Sequence, residues 1–411
     1  MKIFSLFKVN RFSFIWLIFL LILTVFANFI ANDKPIYANY NGKIYFPVFL
    51  DILKDLGLYQ WETELVHKDW KKLDLEQSIW TLIPFLPDQL DMENSPAQPP
   101  FSFLKIKNQK FYHYLGTDEL GRDIASGLVY GTRYAIIVSF LATFLATIFG
   151  ILIGSIAGYW GDYDFKISRY SLLVFLIIGS WAFFISFYSR YYRLTDSLSE
   201  DFNEFIIEIL ISTIFFITIS FGFWKILSFL KNLHPYLEEQ VSIPLDLMVS
   251  RIIEIKLSIP MLLLVIILTA LAKPSLLLLI GIIAFGQWTT FARLIRAEIL
   301  KIKRLEYTDA AKIQGFSSLK ILTNHVIPNA MPPIWVSISF AIATAILVES
   351  ALSFLGIGVN HISWGSLLKS GKSNLNAWWL IVFPGTMIFL TIFTLNQLNE
   401  TLRKVFNPKK L

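Results

Sequence analysis

Eight stretches of the chain are almost free of charge and long enough, or nearly so, to cross a membrane as helices: 12–30, 134–157, 171–189, 205–224, 257–272, 275–292, 334–357 and 375–398. A hydrocarbon layer ~30 Å thick takes about 20 helical residues. The 257–272 run is the shortest, with Pro260 near its start, where a missing N–H is tolerable. Lys273-Pro274 divides it from the next run. The first run follows Lys2, Lys8 and Arg11. It exceeds the usual ~7–15-residue core of a secretory signal and is followed by no small-x-small cleavage site. Residues 1–32 therefore read as an uncleaved signal-anchor helix.

Composition agrees with a membrane protein. Of 411 residues 55% are hydrophobic and 16% charged, against ~45–50% and ~25% in a soluble domain. Such a chain is far from the composition of disorder. It has no cysteine, which excludes disulfides, thiol nucleophiles and thiolate metal sites. The net charge is +6, but the basic residues flank apolar runs, so they speak for orientation rather than for nucleic acid.

The basic start places the N-terminus inside, and eight spans return the C-terminus there, where Arg403, Lys404, Lys409 and Lys410 agree. The 293–333 segment is inside and basic, with Arg293, Arg296, Lys301, Lys303, Arg304, Lys312 and Lys320. The acidic 190–204 loop falls outside. One short outer segment, 359–374, runs against the rule with Lys369 and Lys372 and no acid. Residues 33–133 form a large extracytoplasmic segment, Pro-rich and aromatic, with a helical candidate of mixed periodicity over 48–80.

The inside segment 293–333 carries the most information. It contains Glu306-Tyr307-Thr308-Asp309-Ala310-Ala311-Lys312-Ile313-Gln314-Gly315-Phe316 and ends His325-Val326-Ile327-Pro328-Asn329. Thr308 is expected to cap a short helix that stops at Gly315. A second helix is expected from Ser317 or Ser318, ending before Pro328. The result is a compact knob with little side chain at Ala310, Ala311 and Gly315. Ile313, Leu319, Ile321 and Leu322 serve as apolar anchors for a groove. An amphipathic loop lying on the membrane surface is the alternative that pattern alone leaves open.

This stretch resembles the "EAA" loop of ABC-importer permeases, with Asp309 where the first acid is more usually Glu. A second match narrows the family. Gly116-Thr117-Asp118-Glu119-Leu120-Gly121-Arg122-Asp123, followed by Tyr130-Gly131-Thr132-Arg133, resembles the "GTDxxGRD…YGxR" segment of the C-type permease of oligopeptide, dipeptide and nickel importers. By itself it reads as two turns with Asx hydrogen bonds. Further matches follow in order: Gly158-Tyr159-Trp160-Gly161, Pro244 to Arg251 with Ser258-Ile259-Pro260, Arg293 to Glu298, Glu349 to Gly358, Ser363-Trp364-Gly365 and Asn407-Pro408.

The resemblance implies an all-α polytopic membrane protein with the type I ABC-importer permease fold. Its core helix covers 134–161 and the rest of the core 243–411. It implies a coupling role for Glu306, Asp309, Ala310, Ala311, Gly315, His325 and Pro328. It also implies a second homologous permease, two cytoplasmic ATPase subunits that use the ATP, and an extracytoplasmic substrate-binding protein, with membrane lipid around and no nucleic acid. The location implied is the bacterial inner membrane. No cofactor is expected on this chain, and no enzymatic activity of its own. Residues 162–242 interrupt the pattern and add two spans to the usual six, which reads as an inserted peripheral hairpin.

Gly371-Lys372-Ser373 looks like the end of a phosphate loop, but the nearest upstream glycine, Gly365, has the wrong spacing. His67, His113, His234, His325 and His361 form no pair with metal-ligand spacing. Glu349, inside an apolar span, is a candidate for the pathway or for helix–helix bonding. An ion-coupled carrier or channel is the competing class and would need intramembrane carboxylates around a midplane site.

Overall fold

In the computed structural model the described residues are all except 1–10, 56, 62–64, 66–67, 93–94, 107–108, 228–238, 273, 358–360 and 407–411. His67, His234, Lys273, Gly358, Asn407-Pro408 and the flanking Lys2, Lys8, Lys409 and Lys410 lie outside them. Among the described residues seven helices are long and apolar enough to span a membrane, and a bent pair makes up to eight. The chain divides into two compact units, one of residues up to Leu141 with those from Ser339 onward, the other of Ala142–Ile338.

In the first unit, helix α1 (Arg11–Ile30) packs on the last helix, α14 (Trp379–Phe406). Ser13 Oγ donates to Gln397 Oε1 at 2.7 Å, and Trp16 Nε1 to Thr391 Oγ1 at 3.3 Å. After α1 comes a small cap. Strand β1 (Tyr37–Tyr40) lies between β2 (Lys43–Tyr45) and β3 (Gln77–Ile79), both antiparallel to it, with Asn39 opposite Ile44 and Gln77. A hairpin of β4 (Ser102–Ile106) and β5 (Gln109–His113) follows.

The helix expected over 48–80 is confined to α2 (Pro47–Asp55). Gly57, at φ +72°, ends it: Leu58 N–H donates to Leu53 O and Gly57 N–H to Lys54 O, the two bonds of a Schellman stop. The other described residues of that stretch are irregular apart from one 3₁₀ turn, Trp70–Lys72, and β3.

Helix α3 (Ile124–Trp160) starts ten residues before the apolar run at 134, because Asp123 caps it, its Oδ1 accepting from Ser126 N–H at 2.6 Å. The YGTR motif clamps its first turns to α1. Tyr130 donates its hydroxyl to Ala31 O at 3.1 Å, and Arg133 reaches Thr24 O at 2.9 Å and Asn28 Oδ1 at 2.8 Å.

In the second unit, the 162–242 segment leaves and returns through one ladder: β6 (Lys166–Ser168) pairs antiparallel with β7 (Gln240–Ser242). Between them stand α4 (Arg169–Phe183), continued by a wide π turn to Tyr188, then the short α5 (Tyr191–Glu200) and α6 (Phe202–Leu227). Only 6% of the apolar window of α6 is buried by protein, which leaves its surface to lipid.

The expected span at 257–272 is broken. Helices α7 (Leu245–Ser258) and α8 (Met261–Leu271) meet at a bend of 83°. Ile259, directly before Pro260, is extended (φ −89°, ψ 116°), as the proline ring requires of its predecessor. Helix α8 alone covers only about 16 Å at 1.5 Å per residue.

Helix α9 (Leu276–Ile302) runs ten residues past its apolar run. It can lie on α3 because α3 presents glycine every fourth residue. A Cβ at Gly150 would fall 2.5 Å from Phe291 Cβ, at Gly154 2.3 Å from Ala292 O, and at Gly158 3.0 Å from Arg296 O. Gly158 thus belongs to a helix contact of the small-xxx-small kind, and the turn glycine of the Gly158–Gly161 match is Gly161, at φ +60°. Replacing Gly154 with Leu should destabilise the purified protein by about 2 kcal/mol or more through overpacking, read as a lowered thermal midpoint in detergent. Gly179→Leu, where an added Cβ meets open space, should leave the midpoint nearly unchanged.

Candidate functional site

The segment 293–333 holds the two short helices expected, between the ends of two long ones. After α9 comes α10 (Glu306–Ile313), then α11 (Ser318–Ile321), a wide π turn Leu322–Val326, and α12 (Ile327–Leu355) without a break. Thr308 does not cap α10: Leu305 is the N-cap residue, and Thr308, 1% exposed, donates its hydroxyl back to Lys303 O and Leu305 O at 2.8 and 2.7 Å. Glu306 and Asp309 fall in the first turn of α10, where carboxylates meet the positive end of the helix.

Gly315 stops the helix as expected, at φ +80°. Phe316 N–H donates to Ala311 O and Gly315 N–H to Lys312 O, a Schellman stop that a side chain would strain. No atom lies within 4 Å of a Cβ placed there, so φ rather than crowding selects glycine. Ser317 caps α11, accepting from Lys320 N–H.

Pro328 does not end a helix. The π turn directly before it widens the coil, so the carbonyl that a proline ring would strike and the N–H it lacks are both accommodated. His325 stacks on Phe316 at 6.1 Å, and Asn329 Nδ2 donates to His325 O at 2.6 Å and to Tyr307 Oη at 3.2 Å.

The elbow is thus fixed from within, and its largely polar outer surface carries two strongly exposed apolar side chains: Ile313 is 87% exposed and Leu319 63%. Ala310 is exposed, whereas Ala311, Ile321 and Leu322 are buried. The latter two, read as anchors, hold the elbow together instead. Lys303 ties it to the end of α3, donating to Tyr159 O at 2.6 Å and pairing with Asp164.

In the first unit the GTD/GRD segment forms a knot. Asp118 Oδ1 accepts from Leu120 and Arg122 N–H, both at 2.9 Å, and its Oδ2 takes the Arg122 guanidinium at 2.6–2.7 Å. Gly116 and Gly121 have φ of +84° and +75°, and a Cβ on Gly121 would fall 2.0 Å from Asp91 O. Thr117 Oγ1 accepts from Gln98 N–H, and Thr117 O accepts from Trp379 Nε1.

Residues 359–374, expected as a loop, contain helix α13 (Trp364–Ser373), opened by a capping box between Ser363 and Ser366. Trp364 is fully buried, donates to Leu128 O, and lies against Gly131. Gly365 meets the backbone of Ser350. Glu349, 0% exposed, accepts from Ser353 at 2.8 Å, from Ser350 at 3.3 Å and from Ser363. It joins α12 to the start of α13. Gly371-Lys372-Ser373 closes α13, the wrong end of a helix for a phosphate.

A buried cluster beside the knot was not visible in the residue spacing. His113 is 0% exposed, with Nδ1 2.8 Å from Asp123 Oδ2 and Nε2 3.0 Å from Asp91 Oδ2. Carboxylates only accept, so both ring nitrogens carry protons. Phe85 stacks on the imidazole at 3.9 Å, and the Lys71 ammonium lies 3.8 Å from the centre of the Phe85 ring. The cluster's two acids, Asp91 and Asp123, lie 22 and 10 residues from His113 on either side, a spacing that matches no motif.

Residues 240–410 match the model of the family described as binding-protein-dependent transport system inner membrane component. A putative peptide transport system permease protein of Brucella suis biovar 1 is 36% identical over 167 residues, 40% of this chain and 56% of that protein. The oligopeptide transport system permease protein OppC of Escherichia coli K12 is 34% identical over 167 residues, 40% and 55%. The chain thus spans about half the length of these relatives. The peptidoglycan transport system permease protein YejE of Agrobacterium fabrum is 25% identical across 98% of this chain and 91% of its own. That alignment takes in the long segment after α1 and the 162–242 insertion. The family resemblance read from the motifs is borne out.

Burial works against the charge on His113, but the hydrogen bonds it donates to Asp123 and Asp91 outweigh it and raise its pKa. Stability from this group is therefore full below its ordinary value of 6.5 and is lost as pH rises through the raised value. Lys71 acts in the opposite sense: burial lowers it from 10.5 to about 8, so its cost to the fold is relieved as pH rises from about 8 to 10.5. Thermal midpoints of the purified protein should fall from pH 6.5 upward, and His113→Gln should remove that fall while leaving the Lys71 rise.

Proposed function

We propose that this chain is a permease subunit of a binding-protein-dependent ABC importer that moves peptides across the bacterial inner membrane. It works with a second, homologous permease, two cytoplasmic ATPase subunits that hold and hydrolyse ATP, and an extracytoplasmic substrate-binding protein. Both termini are cytoplasmic. The elbow at 303–326 carries this reading. It is rigid from within, joined to three long helices by continuous backbone or by Lys303, and it presents Ile313 and Leu319 on an otherwise polar outer surface. Ile313 and Leu319 suit insertion into a groove of an ATPase. Nucleotide-driven closure of the ATPases would then shift the elbow and bias the helices between two arrangements. The names of the relatives support the substrate class.

The carrier or channel reading is poorly served by the acids available. Glu349 is bound by three serines, and Glu208 is paired with Arg190. Neither is poised to trade protons or ions with a pathway.

Two substitutions test the elbow in the assembled complex. Ile313→Asp changes an exposed residue, so membrane insertion should persist while ATPase association weakens about tenfold or more and ATP-dependent uptake falls with it. Gly315→Val should do the same by straining the Schellman stop. Normal association and uptake in both variants, measured by pull-down and proteoliposome transport, would contradict the docking role.

A further inference from the structure

The two lysines of 359–374 oppose the usual charge distribution across a membrane, and the structure gives one of them a setting. Lys369, on α13, lines a cavity of about 170 Å³ together with Arg122, His361, Ser366 and Ser370, floored by Asp123 and Ser353. A cavity of this size takes the end of a ligand, such as a carboxylate with part of one residue, and not a whole peptide.

The acids near the cavity are already engaged. Asp123 gives one oxygen to the N–H of Ser126 and the other to the protonated His113. Asp118 holds Nε and Nη2 of Arg122, which leaves Nη1 without a partner among the described residues. The Lys369 ammonium likewise has no acceptor among the described residues. It lies close to Gly356, where a Cβ would approach Nζ to 2.7 Å and where φ is +78°. The glycine that ends α12 therefore leaves room for the ammonium. Ser366 and Ser370 spend their hydroxyl protons on Ser363 O and Ser366 O, so the donors remaining are the two cations and the His361 ring. A guanidinium and an ammonium among the side chains that line a small polar cavity, with the neighbouring acids engaged, make a site for an anion.

We propose that this cavity is a subsite for the terminal carboxylate of a peptide. This rests on the peptide-permease reading above and extends it: the permease itself, not only the binding protein, recognises the charged end of its substrate. Lys369 and Arg122 hold the carboxylate, and the rest of the peptide stays outside the cavity.

The test uses the complete complex in nanodiscs of neutral lipid, without binding protein, and measures equilibrium binding of radiolabelled trialanine and of trialanine amide. The free acid should bind about tenfold or more tightly than the amide, the scale of a charge-assisted contact. Lys369→Gln should bring the two to parity, and Lys372→Gln should keep the preference. Equal binding of acid and amide by the wild type, or a preference that survives Lys369→Gln, overturns the subsite. So does abolition of the preference by acidic lipid, which would assign the cavity to a headgroup. These outcomes leave the permease reading standing. That reading is tested separately by uptake in proteoliposomes, where peptide accumulation independent of ATP would overturn it.

Discussion

A helix that enters a bilayer leaves carbonyl or N–H groups open at its ends, in a medium that offers them no water. The way these ends are closed organises the informative parts of this protein. Asp123 closes the start of α3, Ser363 with Ser366 the start of α13, and Ser317 the start of α11. Gly315 and Gly356 close the ends of α10 and α12 in the left-handed conformation that a side chain resists. The motifs that single out the family are largely these closures and the contacts that seat them.

The GTD/GRD knot shows how closely packed such a closure can be. Its two aspartates use both oxygens each, one pair within the turn and the other shared between a helix cap and His113. Its two glycines are needed both for φ and for the approach of another strand of backbone. Trp379 and Trp364 then bring α14 and α13 onto the same region through hydrogen bonds to Thr117 O and Leu128 O. The cations that remain unneutralised, Arg122 in part and Lys369, are left beside the cavity between these elements.

The elbow follows the same logic. Thr308 turns its hydroxyl inward to satisfy carbonyls at the end of α9 and at the N-cap residue of α10. Ile321 and Leu322 fill the interior, and the apolar residues left over, Ile313 and Leu319, face outward. A segment so satisfied internally has surface to offer a partner without losing its own shape.

The pattern of uncharged runs determined seven of the spans, because a run of some 20 apolar residues has few alternatives to a membrane helix. The stop at Gly315 and the cap at Ser317 were equally legible, since both are set by the backbone within a few residues. Tertiary structure decided the rest. The bend at Ile259-Pro260, the passage of Pro328 into a helix through a π turn, and the helix within 359–374 depend on neighbours that can accept or fill the irregularity. The roles of Gly150, Gly154 and Gly158 are visible only when α9 lies against them. His113, Asp91 and Asp123 come from three separate turns and strands of the segment before α3, and only folding buries them together, where lost hydration makes their mutual hydrogen bonds decisive.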